Sequence, residues 1–518
     1  MKKHSLLSVV SIAALSLAGG AYVPSAAAAT DAWNEGAPRI NGARAFGATP
    51  GRSFRYAFPT CGAREGLRFS VAAGVLPEGA ALDEKSGLLS GRVAQTGEYP
   101  FTVRATNRQG EAQKRFTLVV RPGALMLTPP MGWTSWSAYT DDVRQEHIAA
   151  SAKALVEKGL AARGYSFVNV DSCWQGNRTA KDSLALQPNG RFPDMKGLVD
   201  GIHALGLKAG IYSTPMVIAW GSDDRVLYHG GTGYPLDPKS FDPYFGGCGQ
   251  VGFEKVDAAQ FAAWGFDWLK YDWPVTDVEH AQKMRQALDA ADRDIVLQLC
   301  TGCSRNDAEK FPAIASLVRG NLDTHDKWDL MLGKHQCFHG ADRWLGFIRP
   351  GFWYDLDMLA VGAMRIDRKE SSPRPGEKPP ASFANKLTRD EQTSHFAWWA
   401  ILPAPLFLSC NVEHMDDFTL GLVSNEELIE INQDYPATPA SFEDLESGRR
   451  RIWTRRLSDG RTVLGFFNLG EDEWHVTRLV AEGRRVRDVI SKADLGRPPI
   501  LDLRLSRHAC RVFVVSGD

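Results

Sequence analysis

"GFDWLKYDWP", residues 265–274, is the stretch on which the fold turns. Its largely apolar and aromatic run reads as a strand buried on both faces, yet it ends on Lys270 and Asp272, with Pro274 just beyond. Residues two apart on a strand point to the same side of the pleat. The segment therefore predicts a buried strand that presents a lysine and an aspartate together at its C-terminal end.

Outward from that strand, the texture between Pro122-Gly123 and about residue 436 repeats it. Short apolar runs, "ALML", "YSFVNVD", "LKAGIYS", "FDWLKYD", "DIVLQLC", "IASLVRG", "DMLAVG" and "APLFLSC", alternate with helical patterns such as "VRQEHIAASAKALVEKGL" and "AQKMRQALDAAD". Continuous apolar strands alternating with helices imply a parallel sheet covered by helices, and eight strand candidates favour a (β/α)8 barrel, a TIM barrel. An open doubly wound sheet is the alternative, but no G-x-G-x-x-G follows the first strand. The barrel is expected over 124–436.

On either side the period changes to two. Residues 33–122 contain "YPFTVRATN" and "QKRFTLVVR" with turn signals between, the pattern of an Ig-like β-sandwich, and residues 438–518 read as a C-terminal antiparallel β-sandwich. Both modules are expected to be accessory to the barrel. Residues 1–29 carry two lysines, a short apolar run and an alanine-rich end, the layout of a secretory signal peptide. No segment supplies the roughly 20 uninterrupted apolar residues a membrane span needs, so a secreted or periplasmic chain with no membrane contact after signal cleavage is expected.

With 518 residues, 44% hydrophobic and 23% charged, the composition is globular, and a net charge of −1 gives no reason to expect nucleic acid as partner. The sequence sets no oligomeric state. Eight cysteines are compatible with disulfides but too sparse to frame the fold. Cys300 and Cys303 form C-x-x-C, with no second pair at metal spacing.

In a barrel the C-terminal strand ends line one open face, where such enzymes place their chemistry. Those ends bring Asp171 and Ser172, Tyr212, Lys270 and Asp272, Arg319 and Asp323, and Asp355 and Asp357. Two carboxyls across a pocket suit glycoside cleavage, one ionised and one protonated. Lys270 would favour the carboxylate form of Asp272; Asp326 and Asp329 would keep Asp323 protonated while Arg319 opposes them. Trp133, Trp136, Trp174, Trp273 and Trp353 lie beside these motifs, as sugar platforms or as core. No H-x-H or H-E-x-x-H stands at a strand end, no G-x-S-x-G is present, and no phosphate loop occurs, so neither metal nor cofactor is expected.

Seven motifs in order, "TPPMGWTSW", "YSFVNVDSCW", "GLKAGIYS", "WGFDWLKYD", "VRGNLDTHDKW", "PGFWYDLDMLAVG" and "NEELIEINQD", resemble those of glycoside hydrolase family 27, the α-galactosidases and α-N-acetylgalactosaminidases. The N-terminal region resembles the bacterial immunoglobulin-like repeat. The resemblance implies a retaining exo-glycosidase acting on an oligosaccharide or polysaccharide, with Asp272 as nucleophile and Asp323 as acid/base, about 5 Å apart. It also implies sugar contacts at Trp136, Asp171, Tyr212, Lys270, Arg319, Asp357 and Met358. Galactose-specific members usually have a second aspartate where this chain has Ser172, an acidic residue at Thr301, tryptophan at Val318, and cysteine at Trp273. Loss of a carboxylate acceptor costs on the order of 1.5–3 kcal/mol if nothing replaces it, so the choice of sugar is where the motifs diverge. α-Galactosidase is the leading expectation. Other sugars (α-N-acetylgalactosamine, β-L-arabinopyranose, an α-glucoside) or a non-catalytic carbohydrate-binding role are the alternatives.

Overall fold

The computed structural model describes residues 32–178, 184–216, 247–333, 336–365 and 370–517; the expected signal segment, 1–29, lies outside them. Period-two sequence at the N-terminus gives a sandwich. Ala45–Ala48, Gly110–Val120, Gly97–Asn107 and Arg68–Gly74 form one sheet in that order, facing Ser53–Ala57, Leu88–Arg92 and Ala80–Leu82. Phe101, Val103, Phe116 and Leu118 alternate inward to meet Phe54, Phe58, Phe69 and Leu89.

The central sheet has eight parallel strands: β1 (Met131–Thr134), β2 (Phe167–Val170), β3 (Lys208–Ser213), β4 (Trp268–Trp273), β5 (Val296–Thr301), β6 (Leu317–Val318), β7 (Trp353–Tyr354) and β8 (Leu406–Leu408). Neighbours follow chain order, β8 pairs back onto β1, and an isolated parallel bridge from Leu359 to Leu408 spans the β7–β8 side. This is the barrel arrangement. Helices α1 (Gln145–Glu157), α2 (Met195–Ala204), α3 (Glu254–Trp264), α4 (Val278–Asp289) and α5 (Arg389–Ile401) lie between the strands in sequence.

Two of the eight strand assignments shift. "ALML" is not a strand: Ala124 and Leu127 pack with Ala45 and Val119 of the N-terminal sandwich, so its apolarity serves the junction, and β1 follows at Met131. "DMLAVG" also fails. Asp357 adopts φ of 77°, and its N–H donates to Asp355 Oδ1 at 2.9 Å, an Asx turn that ends extended chain directly after Trp353 and Tyr354.

The N-terminal sandwich docks on the end of the barrel opposite the candidate site. Lys208, the first residue of β3, places its ammonium 4.5 Å over Phe46 of the sandwich and 5.3 Å over Phe167. Arg92 makes a two-pronged ion pair with Asp292, and Thr49 N donates to Asp294 Oδ2 at 2.9 Å, both in the turn entering β5. The C-terminal domain is a six-stranded antiparallel sheet with a separate two-stranded ribbon, Trp474–Leu479 and Ile500–Leu505. It covers α5, whose residues from Glu391 to Ile401 are all buried; Trp398 meets Trp453 at 5.2 Å and Phe467 at 5.0 Å, edge to face. Double burial explains why α5 reads "FAWWAI" rather than showing one apolar stripe.

Candidate active site

Strand register builds the site in layers. Tyr212, Lys270 and Gln298 are cross-strand neighbours on β3, β4 and β5, and two residues further on Asp272 stands beside Cys300. Trp268, on the same face of β4 as Lys270 and Asp272, meets Phe167 at 5.1 Å and Phe407 at 5.2 Å and forms an apolar floor. Its indole donates to Gln298 Oε1 at 3.1 Å, and above that contact the lining turns from aromatic to charged.

One polar group centres on Asp171, just past β2. Lys270 Nζ donates to its Oδ2 at 2.8 Å, Thr134 Oγ1 to the same oxygen at 3.1 Å, and Ser172 N to Oδ1 at 2.8 Å. The Lys270 ammonium lies 5.6 Å from the Tyr212 ring centre. Burial pulls this lysine's pKa down, but Asp171 first, with Cys300 and Asp272 behind it, outweighs it and the net shift is upward, so Lys270 stays charged. The lysine expected to serve Asp272 thus makes its direct ion pair with Asp171 and reaches Asp272 only through its field.

The second group is a continuous chain. Thr301 Oγ1 donates to Asp272 Oδ1 at 2.8 Å and accepts from Arg319 Nη2 at 2.6 Å, and that nitrogen also donates to Asp323 Oδ1 at 2.7 Å. Arg319 Nη1 pairs with Asp357 Oδ1. Asp357 Oδ2 accepts from Thr324 N at 2.6 Å, and Asp355 in turn accepts from Gln298 Nε2. Arg319 is only 1% exposed, and a guanidinium so buried requires this many carboxylates around it. The carboxyls of Asp272 and Asp323 are therefore no more than about 8 Å apart, the combined reach of three short hydrogen bonds.

The three acids around Arg319 are tuned apart. Burial raises the pKa of Asp357, Arg319 opposes it, and repulsion from Asp323 and Asp355 adds to the rise, to about 7. Burial also pushes Asp355 up. For Asp323 burial acts upward too, but Arg319, Lys270 and the hydrogen bond from Arg319 prevail and hold it below the usual carboxylate range. The contest between Arg319 and the neighbouring acids over Asp323 thus goes to the arginine. Asp326 is turned away, accepting from Lys386 N at 3.1 Å.

Every described candidate residue lies at this mouth except where packing claims it. Trp136 is half-buried, whereas Tyr212 is buried on β3 and Asp357 and Met358 are buried in the turn that follows β7. Trp133, Trp174, Trp273 and Trp353 are core residues at 0–2% exposure, with the indoles of Trp133, Trp174 and Trp353 bonded to the carbonyls of Cys410, Tyr212 and Met126. They are not sugar platforms. Ser172 is buried and its hydroxyl bonds the Cys173 thiol. All eight cysteines are buried and none forms a disulfide; burial pushes the Cys303 thiol up to about 12 and Cys300 upward as well, so this C-x-x-C is inert packing. Thr134, Gln298 and Thr324 were missed. Only Gln298 left a trace, as a polar residue inside the apolar run "VLQLC".

Comparison with known proteins gives the family. The "Alpha galactosidase A" profile matches residues 128–374, the "Putative Ig domain" profile 37–121, and the "Alpha galactosidase C-terminal beta sandwich domain" profile 447–515. Alpha-galactosidase 2 of Arabidopsis thaliana is 31% identical over 406 residues, 76% of this chain and 90% of that protein. The chain belongs to glycoside hydrolase family 27. It is a glycoside hydrolase of the α-galactosidase family, and the same relationship holds with the Coffea arabica α-galactosidase at 32% identity over 364 residues, 68% of this chain and 82% of that one. A Bacteroides fragilis crystal structure described as a "putative alpha-galactosidase/melibiase" superposes with a TM-score of 0.78 at 28% identity, covering 94% of this chain and all of that one. A β-L-arabinopyranosidase of the family from Geobacillus stearothermophilus superposes with a TM-score of 0.64 at 25% identity, covering 76% of this chain and 98% of that one.

Proposed function

We propose that this family 27 member is a secreted, retaining, exo-acting α-galactosidase that removes terminal α-D-galactose by double displacement, with Asp272 as nucleophile and Asp323 as acid/base. The observation that carries this reading is the chain Asp272–Thr301–Arg319–Asp323, which puts two carboxyls across one pocket with a guanidinium between them. Asp272 Oδ1 is bonded to Thr301, and Asp272 Oδ2 is the oxygen that would attack the anomeric carbon. Asp323, the more exposed acid at 30% of its side chain, faces the leaving group.

An acid catalyst needs a proton, and Arg319 opposes protonation of Asp323. A sugar hydroxyl accepting from Arg319 would divert the guanidinium, burial would then dominate, and Asp323 would protonate as substrate enters. In the second half-reaction Asp323 returns as base to activate water. Asp171, held by Lys270, and Tyr212 line the far wall as a polar socket for ring hydroxyls. Galactose is favoured over other sugars by the activities of the curated relatives. A second reading, β-L-arabinopyranoside, is favoured by Ser172 together with the structural likeness to the Geobacillus enzyme.

Asp272→Ala and Asp323→Ala are each expected to abolish release from aryl α-galactoside while leaving the circular-dichroism spectrum intact. Full turnover by either variant overturns the assignment. Comparing aryl α-galactoside, α-N-acetylgalactosaminide and β-L-arabinopyranoside separates the sugars. No release from the first refutes galactose.

A further inference from the structure

We propose that Cys248, Asp277 and His280 form a zinc site beside the barrel mouth. The Cys248 sulfur, an Asp277 carboxylate oxygen and a ring nitrogen of His280 all lie within 4.8 Å of one another. Displacements of under about an ångström bring such donors to the roughly 2.0–2.3 Å that zinc takes from imidazole, carboxylate and thiolate. Cys248 is fully buried and His280 is 4% exposed, whereas the Asp277 side chain is 36% exposed, which leaves an approach from solvent and a position for a fourth ligand such as water.

The donors come from the segment after β3 and from the start of α4. Cys248 belongs to a segment held to the end of β3 by a bridge to Met216 and by Gly249 N donating to Pro215 O at 3.2 Å. Asp277 caps α4, accepting from His280 N at 2.8 Å, and His280 stands one turn in, its Nδ1 2.8 Å from Asp277 Oδ2. Trp273 Nε1 donates to the same Asp277 oxygen at 3.3 Å, orienting the carboxylate as outer partners orient metal ligands. A mixed sulfur, nitrogen and oxygen set suits zinc and excludes magnesium or calcium, which take oxygen alone. On binding, the Cys248 thiol proton passes to solvent and His280 ligates as neutral imidazole with its one proton on the ring nitrogen away from the metal, so that thiolate and neutral imidazole are the ligands. Trp273 adjoins Asp272, so the site clamps the loop that follows the proposed nucleophile without touching substrate.

The test uses the full chain, stripped with a chelator and dialysed against zinc, with metal content measured per chain, and in parallel a Co²⁺ titration. About one zinc per chain and a near-ultraviolet thiolate-to-cobalt band are expected. Both should be lost in Cys248→Ser, and the zinc in His280→Gln, with circular dichroism verifying that the variants fold. Less than about a tenth of an equivalent of zinc in the wild-type chain, absence of the cobalt band, or an undiminished equivalent in folded Cys248→Ser and His280→Gln overturns the site. If a variant does not fold, the wild-type zinc content and cobalt band decide. None of these readouts depends on glycosidase activity.

Discussion

Replacing Thr301 with valine keeps the shape of the side chain and removes one oxygen. That oxygen donates to Asp272 at 2.8 Å and accepts from Arg319 at 2.6 Å, so the guanidinium polarises the very hydroxyl that serves the proposed nucleophile. A hydrogen bond to a charged group is worth about 1.5–3 kcal/mol, equivalent to roughly 10- to 150-fold in a rate it controls. The two half-reactions should feel it oppositely. In the first, Asp272 loses its charge on attack, so the donor stabilises the reactant and its removal does not slow attack. In the second, Asp272 departs as a carboxylate, and the missing donor withholds that stabilisation. Thr301→Val should therefore slow deglycosylation by about 10- to 150-fold, lower KM, and reveal a burst of aryl alcohol equal to the enzyme concentration, with Thr301→Ser restoring the wild-type pattern. Stopped-flow with an activated aryl α-galactoside reads this directly. Unchanged kcat with no burst would refute the inferred roles of Thr301 and Asp272 together.

Asp357→Asn removes the buried acid whose pKa is raised to about 7. Asp323 then has one fewer acid competing for Arg319, is held lower, and the alkaline limb of the kcat profile should move to lower pH. A carboxyl whose folded pKa is raised costs the fold more as pH rises from about 4 to 7, so chemical denaturation of the Asn variant should show a flatter loss of stability over that interval. Arg178→Met should destabilise the protein by about 3–5 kcal/mol, because Arg178 meets Asp257 with two hydrogen bonds of 2.6 and 2.7 Å and its loss leaves a buried carboxylate unpaired. Urea denaturation measures this, and a loss below about 1 kcal/mol would show that the pair is exchangeable with apolar packing. Ser172→Asp should raise kcat/KM for α-galactoside relative to β-L-arabinopyranoside if position 172 selects the sugar; an unchanged ratio removes it from that role.

Much of this architecture was legible because burial leaves a period. Strands covered on both faces read as continuous apolar runs, and six of the eight assigned runs became barrel strands; the sandwich strands alternated. The two exceptions were apolar for another cause. "ALML" packs between domains, and "DMLAVG" follows an Asx turn that hydrophobicity does not register. The tryptophans beside the motifs left both readings open for a related cause, since a large ring near a strand end is needed for packing whether or not sugar is present.

The candidate acids were also legible, because each lies at or shortly beyond the C-terminal end of a strand and the barrel topology sends those ends to one face. Their pairing was not. Lys270 could choose between Asp171 and Asp272, both at strand ends, and only the placement of β2 and β4 on either side of β3 decided for Asp171. Arg319 stands four residues from Asp323 in sequence, but its hold on Asp357 and Thr301 arises from neighbouring strands. By itself the sequence determined the order of layers and the chemical types at the mouth, since periodicity and strand termination are local properties. Which acids Arg319 engages and which hydroxyl meets Asp272 were decided only by the tertiary structure, because charge interactions depend on distance and burial, and residues far apart in the chain set both.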